Sequence, residues 1–322
     1  MADLFVVASK EFSDIIRGKR FIILLAVFIL LLTAAVASTY ISETQGVSAP
    51  LGLSRGFLRS VASGLTTMMA YFAPILGIAL GVDAISGERE KGTLKMVLAQ
   101  PIYRDTFING KFFGTFLAIF LAVFTAILVE VSGCILALGL TPTSDDVFRL
   151  TLFILFSILY TMAYYGIAVL ISTVSKKTTV SVIAGVMIWA AFTFIIPIVA
   201  SFVAYSTVPV SIRPGQNVTR IQQGRNMTIE EQQLMEALRA RTSIVETINM
   251  FTPNYHFTRI AQYILQAFAS VGFTPRGPTQ TARAVTIMEN LASSWPNILV
   301  LGLVTIFTFI ISYTIFMKQE AR

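Results

Sequence analysis

The side chains able to do chemistry are few and scattered. The 322-residue chain has one histidine, His256, and one cysteine, Cys134, so no metal-ligand cluster and no nucleophile–base–orienter triad can be assembled around them. His256 is expected at an interface rather than in catalysis. Gly110-Lys111 is followed by Phe112, not Ser or Thr, and lacks the upstream glycine of a phosphate-binding loop. The chain is therefore not expected to hydrolyse ATP itself. Two features stand out instead: a compact charged stretch, Gly87-Glu88-Arg89-Glu90-Lys91, and a solitary Glu130 inside an apolar run. The first offers ion pairing, either to a partner or to other parts of the chain, and would otherwise be a solvated loop.

The surroundings of these residues are set by composition. Hydrophobic residues make up 55% of the chain and charged residues 13%, about half the charge a soluble domain needs for its wetted surface. A single cysteine excludes an intramolecular disulfide scaffold, and low charge excludes disorder. An all-α polytopic membrane protein remains. Uncharged runs cover 21–41, 60–82, 150–175, 178–212 and 290–317, and a further run, 112–140, is interrupted only by Glu130. Each meets the length of about 20 residues needed to span, which predicts six transmembrane helices with both termini on one side. Every lysine falls on the side of the termini, whereas the basic residues opposite are all arginine, which puts both termini in the cytoplasm. A cleaved signal peptide ending near Ala35-Val36-Ala37 is the competing reading of the first span. Its run is longer than the usual apolar region of about 7–15 residues.

Residues 3–19 place Phe5, Ala8, Phe12, Ile15 and Ile16 at helical spacing, with Lys10, Glu11, Asp14 and Arg17 elsewhere on the wheel. Such a helix lies in the membrane interface, here turning into the first span near Gly18. In the 83–111 loop Thr93 can cap a short helix whose Leu94, Val97 and Leu98 form one apolar stripe, and Pro101 ends it. A short amphipathic helix beneath two spans needs a partner surface, most simply a groove on a soluble protein. The long segment 212–290 contains a capping-box pattern, Thr228 to Glu231. That pattern opens a helix running to about Asn249, and a second apolar helix is expected from about Phe257 to Ala269, packed on the membrane surface or against the sixth span. Asn217 and Asn226 head glycosylation sequons that are compatible with an outer location.

The run Gly87-Glu88-Arg89-Glu90-Lys91-Gly92-Thr93-Leu94, followed by Pro101, Arg104 and Gly110-Lys111, resembles the signature of permease subunits in the type-2 export class of ABC transporters. It is most similar to the subgroup that includes the nitrous oxide reductase maturation permease. The resemblance implies an amino-terminal interfacial elbow helix (1–20), transmembrane helices one to five with a coupling loop at 83–111 (21–211), an extracytoplasmic helical cap (212–290), and helix six with a cytoplasmic tail (291–322). It implies a coupling role for Glu88, Glu90, Gly92, Thr93, Leu94, Val97, Leu98, Pro101 and Arg104. ATP and Mg would be bound by a separate ATPase subunit, and this chain would need no cofactor or metal. A second permease subunit, identical or similar, membrane lipid in the plasma membrane and an extracytoplasmic protein are the other implied partners; nucleic acid is not one.

Three further features carry open alternatives. Lys176-Lys177, between spans four and five, reads as a second cytoplasmic contact or as a topology anchor. Glu130 reads as a group lining the pathway, a partner for an outer arginine, or an uncharged carboxyl. Pro74 and Pro197 should kink spans two and five, as gates or as packing features, and leave carbonyls that neighbouring helices or water must satisfy. For the whole assembly, ATP-driven export competes with mechanical action on an extracytoplasmic partner without bulk transport. Lipid, polysaccharide, peptide, drug and sodium all remain open as cargo.

Overall fold

The computed structural model describes residues 2–44, 57–93, 103–138, 142–209, 229–265 and 287–318, and all of its regular structure is helical. The helices are α1 (Ala2–Arg17), α2 (Lys19–Thr44), α3 (Phe57–Gly81), α4 (Ser86–Glu90), α5 (Arg104–Leu138), α6 (Ser144–Val174), α7 (Thr178–Ala190), α8 (Ile196–Thr207), α9 (Ile229–Asn249), α10 (Pro253–Leu265) and α11 (Ile287–Lys318). Among the described residues five stretches are long and apolar enough to cross a membrane, where six were expected: Gly64–Glu90, Arg104–Gly133, Ser144–Val174, Thr178–Thr207 and Leu291–Lys318. The uncharged run 21–41 lies within α2, a 26-residue helix.

The break between α1 and α2 falls at Gly18, whose amide bonds the Ile15 carbonyl at 3.0 Å. α1 lies along the first turns of α5, and two glycines of α5 permit that approach. A Cβ on Gly110 would sit 2.7 Å from Val7 Cβ, and one on Gly114 would sit 2.6 Å from the Ala8 carbonyl oxygen. Both distances are below any that packed carbon atoms adopt, so side chains there would push the helices apart.

α6 is the centre of the bundle, packed against α3, α5, α10 and α11. Its Tyr160, Tyr164 and Tyr165 are among the largest fully buried side chains. Its first turn is closed by a capping box: the Thr143 hydroxyl accepts from the Asp146 amide, and the Asp146 carboxylate accepts from the Thr143 amide. By contrast, α8 and α11 turn large side chains such as Phe202, Ile198, Phe307 and Ile306 outward, as suits helices facing lipid or another subunit.

The two prolines act differently. α3 remains helical through Pro74. Pro74 has no N–H for the Ala70 carbonyl four residues earlier, and the Tyr160 hydroxyl of α6 lies 3.0 Å from that oxygen, so a neighbouring helix supplies the missing donor. Before Pro197 the helix widens into a π-turn, Ala191–Ile195, separating α7 from α8. There the proline ring and its missing donor are accommodated by adding a residue to the turn.

α9 runs beside α8: Arg241 donates from Nε to the Val208 carbonyl at 2.7 Å, and its guanidinium lies 4.4 Å from the Tyr205 ring centroid. α9 ends at Asn249, and three residues link it to α10. The second helix thus begins at Pro253, earlier than Phe257, with proline in the first helical position where its absent N–H costs nothing. The Thr252 hydroxyl caps it by accepting from the Tyr255 amide at 3.3 Å. α10 is wedged among α3, α6 and α11 and buries Phe257, Ile260, Ala261, Ile264 and Leu265. At its other end Arg149 of α6 donates to the Ile264 carbonyl at 2.9 Å. Thr228 and both sequons lie outside the described residues.

Candidate functional site

The charged stretch forms α4, one short turn of helix after the Gly64–Gly81 run, and its side chains reach several other helices. A helix of five residues cannot satisfy its own amino-terminal amides, and its cap residue, Ile85, offers no side-chain acceptor. Ser172 of α6 does so instead. Its Oγ accepts from the amides of Ile85 and Ser86 at 3.0 and 2.9 Å and donates to Ser86 Oγ at 3.1 Å. Ser181 of α7 donates to the same oxygen at 3.2 Å, and Ser86 passes its own proton to the Val82 carbonyl at 2.9 Å. All three serines are fully buried. Ser172→Ala leaves two buried amides without an acceptor, at a cost of about 1–3 kcal/mol each. A clear drop in the melting temperature of the purified protein is the expected result.

The three charges that follow point to three places. Glu88 faces Lys111 of α5 at 3.5 Å and accepts from the Thr93 hydroxyl. Lys111 is 6% exposed, and its Nζ lies 3.0 Å from both carboxylate oxygens of Glu11 on α1 and 5.3 Å from the Phe107 ring centroid. One ammonium therefore joins α1, α4 and α5. Arg89 donates to the Ser175 and Thr173 carbonyls at 2.7 and 3.2 Å, among the free carbonyls at the end of α6. Glu90 accepts from the Thr178 amide at 3.0 Å. It sits at the start of α7, where a carboxylate complements both the unpaired amides and the helix dipole. Asp83 meets Arg20 of α2 at 2.8 Å, but Arg20 is 83% exposed, and such pairs contribute about 0–1 kcal/mol. Arg20→Ala is expected to leave the melting temperature within a degree or two of wild type.

The other residues singled out in the sequence fall around this hub. Gly92 has φ +72°, left-handed backbone that favours glycine. Lys91, Lys176 and Lys177 are exposed, and the last two sit between the two helix ends that Arg89 and Glu90 hold. Arg104 opens α5. Leu94, Val97, Leu98 and Pro101 lie outside the described residues. The sequence did not single out Glu11, Ser172 or Ser181: Glu11 and Lys111 are 100 positions apart, and no local pattern pairs them.

Glu130 and His256 are elsewhere. His256 is buried between helices, with Nδ1 2.9 Å from Asn297 Oδ1 and Nε2 2.8 Å from the Met250 carbonyl. Glu130 is 2% exposed, and its Oε2 meets no hydrogen-bond partner. A buried charge without a partner is costly, so Glu130→Gln is expected to leave the melting temperature unchanged. A fall of many degrees would show that the carboxylate is engaged. Among the described residues no cluster of His, Cys, Asp and Glu could hold a metal ion.

Comparison with known proteins gives the family. Residues 5–321 match the profile of the ABC-2 family transporter protein. The chain belongs to this family. It is 31% identical over 114 residues to the "Probable ABC transporter permease protein NosY" of Stutzerimonas stutzeri and 28% identical over the same length to the protein of that name from Pseudomonas aeruginosa. Each alignment covers 35% of this chain and 39% of the relative. The chain is thus a multi-pass membrane protein of an ABC transporter family, similar in part to permeases.

Proposed function

We propose that the chain is the permease subunit of an ATP-driven exporter, with α4 as the junction through which a separate ATPase subunit moves the membrane helices. The observation that carries this reading is the distribution of α4's bonds: Ser86, Glu88, Arg89 and Glu90 engage α5, α6 and α7, and through Lys111 also α1. A displacement of α4 is then a displacement of all of them, because the bonds with α6 and α7 are short and the serine cluster is closed to water. On this reading Glu88 and Glu90 position the coupling segment. The residues that touch the ATPase are the exposed Lys91, Lys176 and Lys177 and the stripe Leu94, Val97 and Leu98.

The rest of the architecture follows the same proposal. α2 is the first of six spans, since 26 residues rise about 39 Å at 1.5 Å each, and both termini are cytoplasmic. Two permease subunits, identical or similar, pair through the outward apolar faces and enclose the pathway in the plasma membrane. The test is co-expression with an ABC ATPase subunit. The complex should co-purify, and the triple charge reversal Lys91→Glu, Lys176→Glu and Lys177→Glu should lower ATP turnover by the complex or dissociate it. Failure to co-purify, or wild-type turnover in the triple variant, overturns the reading.

A further inference from the structure

Far from the hub, α10 and the proline-interrupted α3 meet at one side chain. Tyr160 stands near the middle of α6, and its hydroxyl contacts the Ala70 carbonyl freed by Pro74 and the side chain of Asn254. Asn254 is the second residue of α10, and its amide lies 3.5 Å from Thr193 Oγ1 within the π-turn. Ala70 and Thr193 also fall near the middles of α3 and of the α7–α8 stretch, so the start of α10 reaches the middle of the bundle. A phenol has one proton to give. If Tyr160 donates to Ala70, it accepts from the Asn254 nitrogen, and the Asn254 oxygen turned toward Thr193 accepts that hydroxyl. This amide orientation satisfies every group in a single directional chain, Thr193 to Asn254 to Tyr160 to Ala70.

The aromatic side of this chain is closed to water, whereas Asn254 is half-buried. Phe257 of α10 stacks on the Tyr160 ring with centroids 4.3 Å apart and planes within 10°, and Tyr164 meets it edge-on at 5.4 Å. All three rings are fully buried. In such surroundings hydrogen bonds strengthen, and an unpaired polar group becomes costly.

We propose that Tyr160 and Asn254 are positioning residues that fasten the start of α10 to the irregular middles of spans two and five, so that movement of those spans moves α10. The second half rests on the ATP-driven reading; the fastening itself does not. Pro74 then acts as the place where span two offers an unpaired carbonyl to Tyr160, and the π-turn presents the Thr193 hydroxyl to Asn254.

The test is hydrogen exchange of the peptide 253–265 in the lipid-embedded complex with its ATPase. Tyr160→Phe keeps the ring and its stacking and removes only the hydroxyl. Without nucleotide it should exchange about tenfold faster than wild type, the scale of one to two lost buried bonds. Asn254→Ala should do the same, and the double variant should be no faster than either alone, because both break one chain. Wild-type exchange in both single variants, or effects that add in the double variant, overturns the fastening. Trapping the ATPase with ATP and vanadate should change exchange in wild type and not in Tyr160→Phe. Equal changes in both overturn the link, and so does no change in wild type when the complex turns over ATP; a complex without ATP turnover overturns the ATP-driven reading and leaves the nucleotide-free comparison to judge the fastening.

Discussion

Lys111→Ala is expected to uncouple the complex. Removing the ammonium leaves Glu11 and Glu88 facing each other across a nearly closed space with no cation between them, and breaking a buried pair in this way costs about 3–5 kcal/mol. Glu11 and Glu88 keep 18% and 26% of their side-chain surface, which places the loss toward the lower end of that range. The consequence is local: α1 and α4 separate from α5, while α4 keeps its serine and arginine bonds to α6. The measurement is ATP turnover and melting temperature of the co-purified complex. Both should fall, and Glu11→Gln combined with Glu88→Gln in the Lys111→Met background should recover much of the melting temperature but not the turnover. A Lys111→Ala complex that melts and turns over like wild type would remove the ammonium from the account.

Gly114→Val is expected to be nearly as damaging by a different route. The new Cβ would lie 2.6 Å from the Ala8 carbonyl oxygen and 2.8 Å from Glu11 Cβ, atoms of α1 that cannot step aside without the helix moving. Overpacking of this kind costs about 1–3 kcal/mol, and it also carries Glu11 away from Lys111. Gly133 of the same helix is the control, since a Cβ there meets nothing within 4 Å. Gly114→Val should lower the melting temperature by several degrees, and Gly133→Ala should barely change it. Equal effects of the two would mean that α1 does not depend on this contact.

What the sequence made legible was what one-dimensional pattern controls. Apolar run length predicted most of the long helices, a break near Gly18 and a helix end near Asn249 were expected, and Pro74 signalled a carbonyl in need of a partner. The 87–94 run pointed to the right part of the chain. It did not reveal that Glu88, Arg89 and Glu90 bond within the chain, because their partners are backbone groups at two helix ends and a lysine salt-bridged to α1. Backbone acceptors such as the Ser175 carbonyl have no sequence signature. α10 packs against α11, one of the two expectations for it; its further contacts with α3 and α6 were hidden because an apolar helix on a membrane surface and one between spans have the same composition. Side-chain bonds such as Tyr160 with Asn254, His256 with Asn297 and Arg149 with the Ile264 carbonyl distinguish them, and no local sequence pattern signals those pairings.

The central claim is that α4 and the ends of α6 and α7 move as one body. It is tested most directly by the distance between spin labels at the exposed Lys91 and Lys177, measured by pulsed electron resonance in the lipid-embedded complex with its ATPase. The account predicts one distance, the same without nucleotide and with ATP plus vanadate, and a broadened or shifted distribution once Arg89→Ala and Glu90→Gln remove the bonds to the two helix ends. A wild-type distance that changes with nucleotide, or an unchanged distribution in the double variant, would contradict it.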